Sequence, residues 1–303
     1  MTRIHPTIVD TDIGSDVDDI LALALLARAP EVRLIGVTTV YGNTLLRAQI
    51  ARWVCDRLGR ADVAVIPGRQ ETLTGREIWW PGHEGVGIAD LEETPVATEQ
   101  TAVDYLCQTA QEHAGELDLI AIGPLTNVAA AIQADPAFAS RLHHLYIMGG
   151  VFWQARGEHN FVCDPEAAEI VMRSGVPMSV CGLDVTKQVW LDEQDVVALA
   201  ASRNPVGATL ADQVRRWWVV RERAQDNPHD ALAALMPIRP DLFTFTACDV
   251  TIAQDDAHLG WAMTSNCGHG AARLASGVNV ALAQQEILRR LMHEAPASGE
   301  SSA

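Results

Sequence analysis

Lysine is almost missing from this chain. Among 303 residues only Lys187 is lysine, and the other 21 basic residues are arginine. Schiff-base chemistry and lysine-based phosphate binding therefore have a single candidate. Positive charge as a whole is scarce, 22 basic against 39 acidic residues, for a formal net charge of −17. A protein that grips nucleic acid by neutralising phosphates needs the opposite balance, and so does one that sits on anionic membranes. The excess of acid favours a neutral small-molecule substrate over a phosphorylated one. No apolar run approaches the ~20 residues that span a bilayer. The opening MTRIHPTIVDTDIG has no basic stretch followed by an apolar one, so it does not read as a secretory signal. The six cysteines (Cys55, Cys107, Cys163, Cys181, Cys248, Cys267) include no CxxC pair. They read as structural thiols of a cytoplasmic protein, in a chain too large to depend on a disulfide framework.

What is present is a regular alternation of short apolar runs and amphipathic stretches. Hydrophobic residues make up 48% of the chain, too many for a disordered one. Strands are expected at residues 6–9, 33–39, 63–66, 117–122, 145–148 and 178–181. Helices are expected at 18–29, 45–58, from 126 and over 165–173. This order predicts an α/β fold, a Rossmann-like, mostly parallel sheet flanked by helices, with functional residues at the carboxyl ends of the strands. Residues 68–100 and 203–245 are less regular and suit lids or walls over a site. One domain over 1–293 is expected, followed by a disordered tail at 294–303.

The chemistry concentrates in DTDIGSDVDD, where Asp10, Asp12, Asp16, Asp18 and Asp19 fall within ten residues between a strand and a helix. Like charges this close repel, and a hard dication bound by oxygen ligands relieves them. An EF-hand is excluded, because its sixth and twelfth positions are here Ser15 and Leu21 rather than Gly and Glu. A magnesium-dependent phosphohydrolase of the haloacid-dehalogenase type also opens with Asp-x-Asp after its first strand. The lone Lys187 and the Asp18–Asp19 pair fit it poorly.

The segment resembles the aspartate-rich hallmark of the nucleoside hydrolase family, inosine–uridine-preferring type: Asp10-Thr-Asp12-Ile-Gly14, then Asp18-Asp19 directly before a helix. Further family motifs occur in the family's order. They are TTVYGN (38–43), GPLTN (123–127), MGG (148–150), EHN (158–160), DPEAA (164–168), LDVT (183–186), PHDA (228–231) and VNVALAQQEILRRL near the end.

The resemblance implies hydrolysis of the N-glycosidic bond of ribonucleosides to free base and ribose, in salvage or catabolism. It implies a calcium ion held by Asp12, Asp19, Asp230 and the carbonyl of Thr126. Asp12 would be the general base on a water, and Asp10 would orient the ligands. Asp18, Asn43, Met148, Glu158, Asn160 and Asp230 would hold the nucleoside, with His83 from a flexible loop. His229 would protonate the departing base. Ribonucleosides should be preferred over deoxyribonucleosides, because a site built to bond hydroxyls rejects analogues lacking them. Trp79, Trp80, Trp217 and Trp218 are candidates to stack on a base or to pack. The segment between MGG and EHN is shorter than usual, which leaves the 5′ end open. The family commonly forms dimers or tetramers, so a homo-oligomer is expected. A sensor that kept the metal site is the alternative to an enzyme.

Overall fold

In the computed structural model, residues 4–14, 16–78 and 84–292 are described. Their framework is a nine-stranded sheet. The strands in chain order are β1 (Pro6–Thr11), β2 (Arg33–Thr39), β3 (Ala64–Pro67), β4 (Leu117–Ala121), β5 (Leu142–Met148), β6 (Met178–Cys181), β7 (Leu191–Asp192), β8 (Gln225–Asp226), β9 (Phe243–Ile252), β10 (Ala262–Ser265) and β11 (Ala272–Val278). β7 and β8 form a separate small pair, and the remaining nine run β10-β9-β11-β6-β5-β4-β1-β2-β3. From β11 to β3 every neighbouring pair is parallel, while β9 joins both β10 and β11 antiparallel. The α/β expectation holds. The antiparallel edge was not foreseen.

Side chains alternate across the sheet as strand geometry requires. Ile8 and Leu119 enter one buried cluster, and their neighbours Val9 and Ile120 enter the other. The first cluster packs under helices Ala102–Glu112, Thr126–Ala134 and Pro165–Met172. The second packs under Asp18–Leu26, Thr44–Arg57, Gly207–Val220, His229–Ala234 and Val280–Met292. Parallel strands covered on both faces read as near-continuous apolar runs, which is why they were legible. Among the described residues no helix is long and apolar enough to cross a membrane. Trp79, Trp80, His83 and the tail 294–303 lie outside the described residues.

One reading is corrected. Cys248, in β9, and Cys267, just past β10, are joined by a disulfide with Cα atoms 4.2 Å apart, so not all six cysteines are free thiols. The β9–β10 hairpin brings together two residues 19 apart in sequence, a proximity that no local spacing advertises.

The topology also fixes where a site belongs. From β1 the chain winds outward through β2 and β3, then returns to place β4 on the other side of β1 and winds on through β5 and β6. Strand order therefore reverses between β1 and β4. The crevice at the carboxyl ends of such a pair is where ligands bind in open parallel sheets.

Candidate active site

β1 ends in Asp10 and Thr11, and the acidic segment follows at that crevice. Asp10 pairs in register with Thr38 of β2 and Ala121 of β4. Its Oδ1 accepts from Thr38 Oγ1 at 2.5 Å and from Asn127 Nδ2 at 2.8 Å. Asn127 also donates to the Thr39 carbonyl and accepts from the Arg69 amide. Asp10 thus ties three strand ends together beneath the site. Its Oδ2 has no hydrogen-bond partner among the described residues. Complete burial pushes its carboxyl up to about 7.

The turn after Asp12 depends on two close approaches. Gly14 adopts φ +112°, a region that side chains disfavour. A Cβ on Gly123 would lie 2.8 Å from both the backbone nitrogen and Oδ1 of Asp12. The fully buried Arg47, on helix Thr44–Arg57, braces this turn from below. Its guanidinium donates to the carbonyls of Asp12, Ile13 and Tyr41 and pairs with Glu84 at 3.2 Å. Sequence reasoning missed Arg47, because within TLLRAQIARW it looks like an ordinary solvated helix cation.

Two helix N-termini converge above the turn. Asp18 and Asp19 occupy the first turn of Asp18–Leu26, and Asp230 the first turn of His229–Ala234. Asp18 Oδ2 accepts from the Asp230 amide at 3.3 Å, and Thr11 Oγ1 donates to Asp19 Oδ1. One carboxylate oxygen from each of Asp18, Asp19 and Asp230 lies within 4.8 Å of the other two, and all three residues are buried. Burial first, and the neighbouring aspartates second, hold all three carboxyls well above the usual range, with Asp12 and Asp16 adding to the field on Asp230. Helix dipoles relieve this only in part. A buried, oxygen-only set of mutually repelling carboxylates fits a hard divalent cation. Of the expected ligands, Asp19 and Asp230 are in this cluster and Asp12 lies beside it. Asp18, expected to hold sugar, joins it too.

A cavity of about 660 Å³ opens over the cluster. Asp12, Asp16, Met148, Glu158, Asn160 and His229 also line it. Glu158 caps helix His159–Cys163 and accepts from the amides of Gly150 (2.9 Å), Asn160 (2.9 Å) and Phe161 (3.3 Å). Burial raises its carboxyl above the ordinary value, and these amides partly offset the shift. Asn160 Nδ2 donates to the carbonyls of Ile122 and Met148, which fixes the plane of its amide. His159, not singled out in the sequence, also faces the cavity with Nε2 4.0 Å from Asp12 Oδ2.

Three further expected site residues take the following places. Asn43 is exposed and caps helix Thr44–Arg57 by accepting from the Leu46 amide at 3.1 Å; it is not on the cavity wall. Thr126 is fully buried behind the wall, its hydroxyl donating to Asp164 at 2.7 Å. His229 does reach the cavity, with Nδ1 2.6 Å from Thr186 Oγ1. Burial, with Lys187 and Arg223 nearby, pulls its imidazole down to about 3. Of the tryptophans, Trp217 faces the cavity while Trp218 is buried in the core.

Residues 7–286 match the family described as inosine-uridine preferring nucleoside hydrolase. The chain belongs to that family. It is a hydrolase of ribonucleosides, and the site above stands where its fold places a ligand. The chain is 35% identical over 264 residues to the probable uridine nucleosidase 2 of Oryza sativa subsp. japonica, covering 80% of this chain and 78% of that one. It is 29% identical over 279 residues to the pyrimidine-specific ribonucleoside hydrolase RihA of Shewanella woodyi, covering 85% and 86%. Among solved structures, the plant nucleoside hydrolase PpNRh1 aligns with a TM-score of 0.85 at 28% identity, over 96% of this chain and 99% of that one. The purine-preferring ribonucleoside hydrolase from Gardnerella vaginalis aligns with a TM-score of 0.85 at 26% identity, over 95% and 98%.

Proposed function

We propose that this nucleoside hydrolase is a calcium-dependent N-ribohydrolase in which Asp12 is the general base. The observation that carries the reading is the buried cluster Asp18, Asp19 and Asp230 with Asp12 beside it. Asp12, Asp19, Asp230 and the Thr126 carbonyl would hold the ion, with Asp18 as a further carboxylate in reach. When bound, the ion offsets the carboxylate charge, orients the ribose diol and water, and stabilises charge in the transition state.

The chain's own groups do the rest. Asp12 takes a proton as water adds to C1′ and the glycosidic bond to the base breaks. A positioned base of this kind is worth roughly 10²–10⁴-fold. Arg47 holds the Asp12 carbonyl, so the turn does not drift during the reaction. Glu158 and Asn160, each fixed by backbone partners, hold ribose hydroxyls. Their fixed geometry lowers the cost of ordering at the sugar. Neutral His229, if Thr186 donates to Nδ1, presents Nε2–H as a hydrogen-bond donor to the base. Asp10 stays below, tying the strand ends together.

The relatives named for uridine and for pyrimidine nucleosides support pyrimidine ribonucleosides as substrates. The likeness to a purine-preferring enzyme keeps purines in the test set. A reducing-sugar assay across uridine, cytidine, inosine and adenosine, with and without chelator, tests the reading. Ribose release that stops with chelator and returns with calcium supports it, and chelator-insensitive release contradicts it. Assembly as a homo-oligomer and a cytoplasmic location complete the proposal.

A further inference from the structure

The amino ends of three neighbouring strands, away from the cavity, hold a second cluster of ligand-type side chains. Strand order places β4 between β1 and β5. His5 directly precedes β1, Asp118 is the second residue of β4, and His143 is the second residue of β5. One ligand atom from each lies within 4.8 Å of the other two. Asp118 is buried, and burial raises its carboxyl above the ordinary value while His143 and His5 pull it back. Its Oδ1 lies 2.7 Å from His143 Nδ1. His5 Nδ1 lies 2.9 Å from the Glu116 carbonyl, and the two imidazoles stack with centroids 3.9 Å apart. A histidine beside an acid does not by itself make such a group. His258 and Asp255 are as close, at 2.8 Å, and no third donor joins them in a cluster among the described residues.

We propose that His5, Asp118 and His143 form a second metal site, for a divalent ion of the zinc class, at the opposite end of the strands from the carboxylate cluster. The donors decide the class of ion. Two imidazoles and a carboxylate suit zinc, cobalt, nickel or copper, whereas the oxygen-only set of Asp18, Asp19 and Asp230 suits a hard ion. Three protein ligands and a water complete a tetrahedral shell. The ion takes the place of the proton shared by His143 Nδ1 and Asp118 Oδ1. With its Nδ1–H given to the Glu116 carbonyl, His5 presents Nε2, and a carbonyl on the second nitrogen is the common support of a histidine ligand. Stacked rings do not both aim at one ion, so binding fans them apart. His143, with 43% of its side chain exposed, has the room to turn. Bonds of ~2 Å set tetrahedral ligand atoms about 3.3 Å apart, so atoms within 4.8 Å close by about 1.5 Å at most. The bound ion joins three strands that are not consecutive in the chain and anchors the chain where it enters β1, the strand that ends in Asp10 and Thr11.

Titration of the full chain with Co2+ tests this, after a chelator has stripped it and in excess calcium, which keeps Co2+ off the oxygen-only cluster. Tetrahedral Co2+ bound by nitrogen gives intense visible absorption bands that oxygen-only sites do not. A single Co2+ should bind with those bands. Zn2+ should displace it, and about a thousand-fold excess of Ca2+ should not. His5→Gln and His143→Gln should each weaken binding about ten-fold or more, and His258→Gln should leave it unchanged. Zn2+ should raise the melting temperature of the parent chain and of neither cluster variant. Ribose release at saturating calcium should be unchanged in both, because neither residue lines the cavity. The titration of the unaltered chain needs no variant to fold. Absence of the bands, displacement of Co2+ by an equal concentration of Ca2+, or binding untouched by both cluster substitutions would overturn the site. Co2+ binding and ribose release lost together would place the ion in the cavity and overturn it as well.

Discussion

Arg47→Met isolates the part of the site that the sequence hid. The substitution keeps most of the side-chain volume and the helix, and removes only the guanidinium. Its partners among the described residues include the carbonyls of Tyr41 at 2.7 Å and Ile13 at 3.0 Å, the Asp12 carbonyl, and the Glu84 carboxylate at 3.2 Å, and all of these lose it. Arg47 is completely buried, so water does not readily replace it. A single charged hydrogen bond contributes about 1.5–3 kcal/mol, but their sum overstates the loss because the turn relaxes. Breaking a buried pair from one side costs about 3–5 kcal/mol, and that range is the expectation here. A domain stable by about 5–15 kcal/mol survives it, so folded variant can be assayed. Urea unfolding should show a lower midpoint with an unchanged slope. Because Asp12 sits on the freed turn, kcat for ribose release should fall at least ten-fold. Arg47→Lys keeps the charge but not the fork, and should recover less than half of either loss. A destabilisation below ~1 kcal/mol with unchanged kcat would refute the bracing argument.

Other consequences are simpler to read. Removing metal with a chelator and restoring calcium at a hundred times its Kd should return about 2.7 kcal/mol of stability, seen as a rise in melting temperature; no shift would mean that nothing binds the cluster. Gly123→Ala pushes a methyl group to 2.8 Å from the backbone nitrogen and Oδ1 of Asp12, and the displacement should lower kcat about 10²-fold and lower the melting temperature as well, since overpacking of this kind costs about 1–3 kcal/mol. Uridine should be hydrolysed far faster than 2′-deoxyuridine, and Glu158→Gln should narrow the gap; equal rates for the two nucleosides would show that the site does not read the sugar hydroxyls.

The parts of the fold buried on both faces were plain in the sequence. β2 and β6 begin and end where their apolar runs do. β9 to β11 were not anticipated, because an antiparallel edge carries mixed polarity, as in the partly exposed FTFTACDVTI of β9. The acidic segment announced the site because five carboxylates in ten residues have no stable arrangement without compensation. What supports it was illegible. Arg47 and Thr186 act through contacts far from their own sequence neighbourhood. Asn43 carried a local signal as well. Asn followed by Thr-Leu-Leu-Arg is an N-cap signal, and the structure uses it as one.

Asp12 carries the central claim, and its substitution tests it most directly. Ribose release from uridine is measured at saturating calcium for the parent chain and for Asp12→Asn, with uridine binding followed separately by calorimetry. Loss of ~10²-fold or more in kcat, with uridine still bound, is the predicted result. A variant that binds uridine and releases ribose within ten-fold of the parent rate would contradict the assignment.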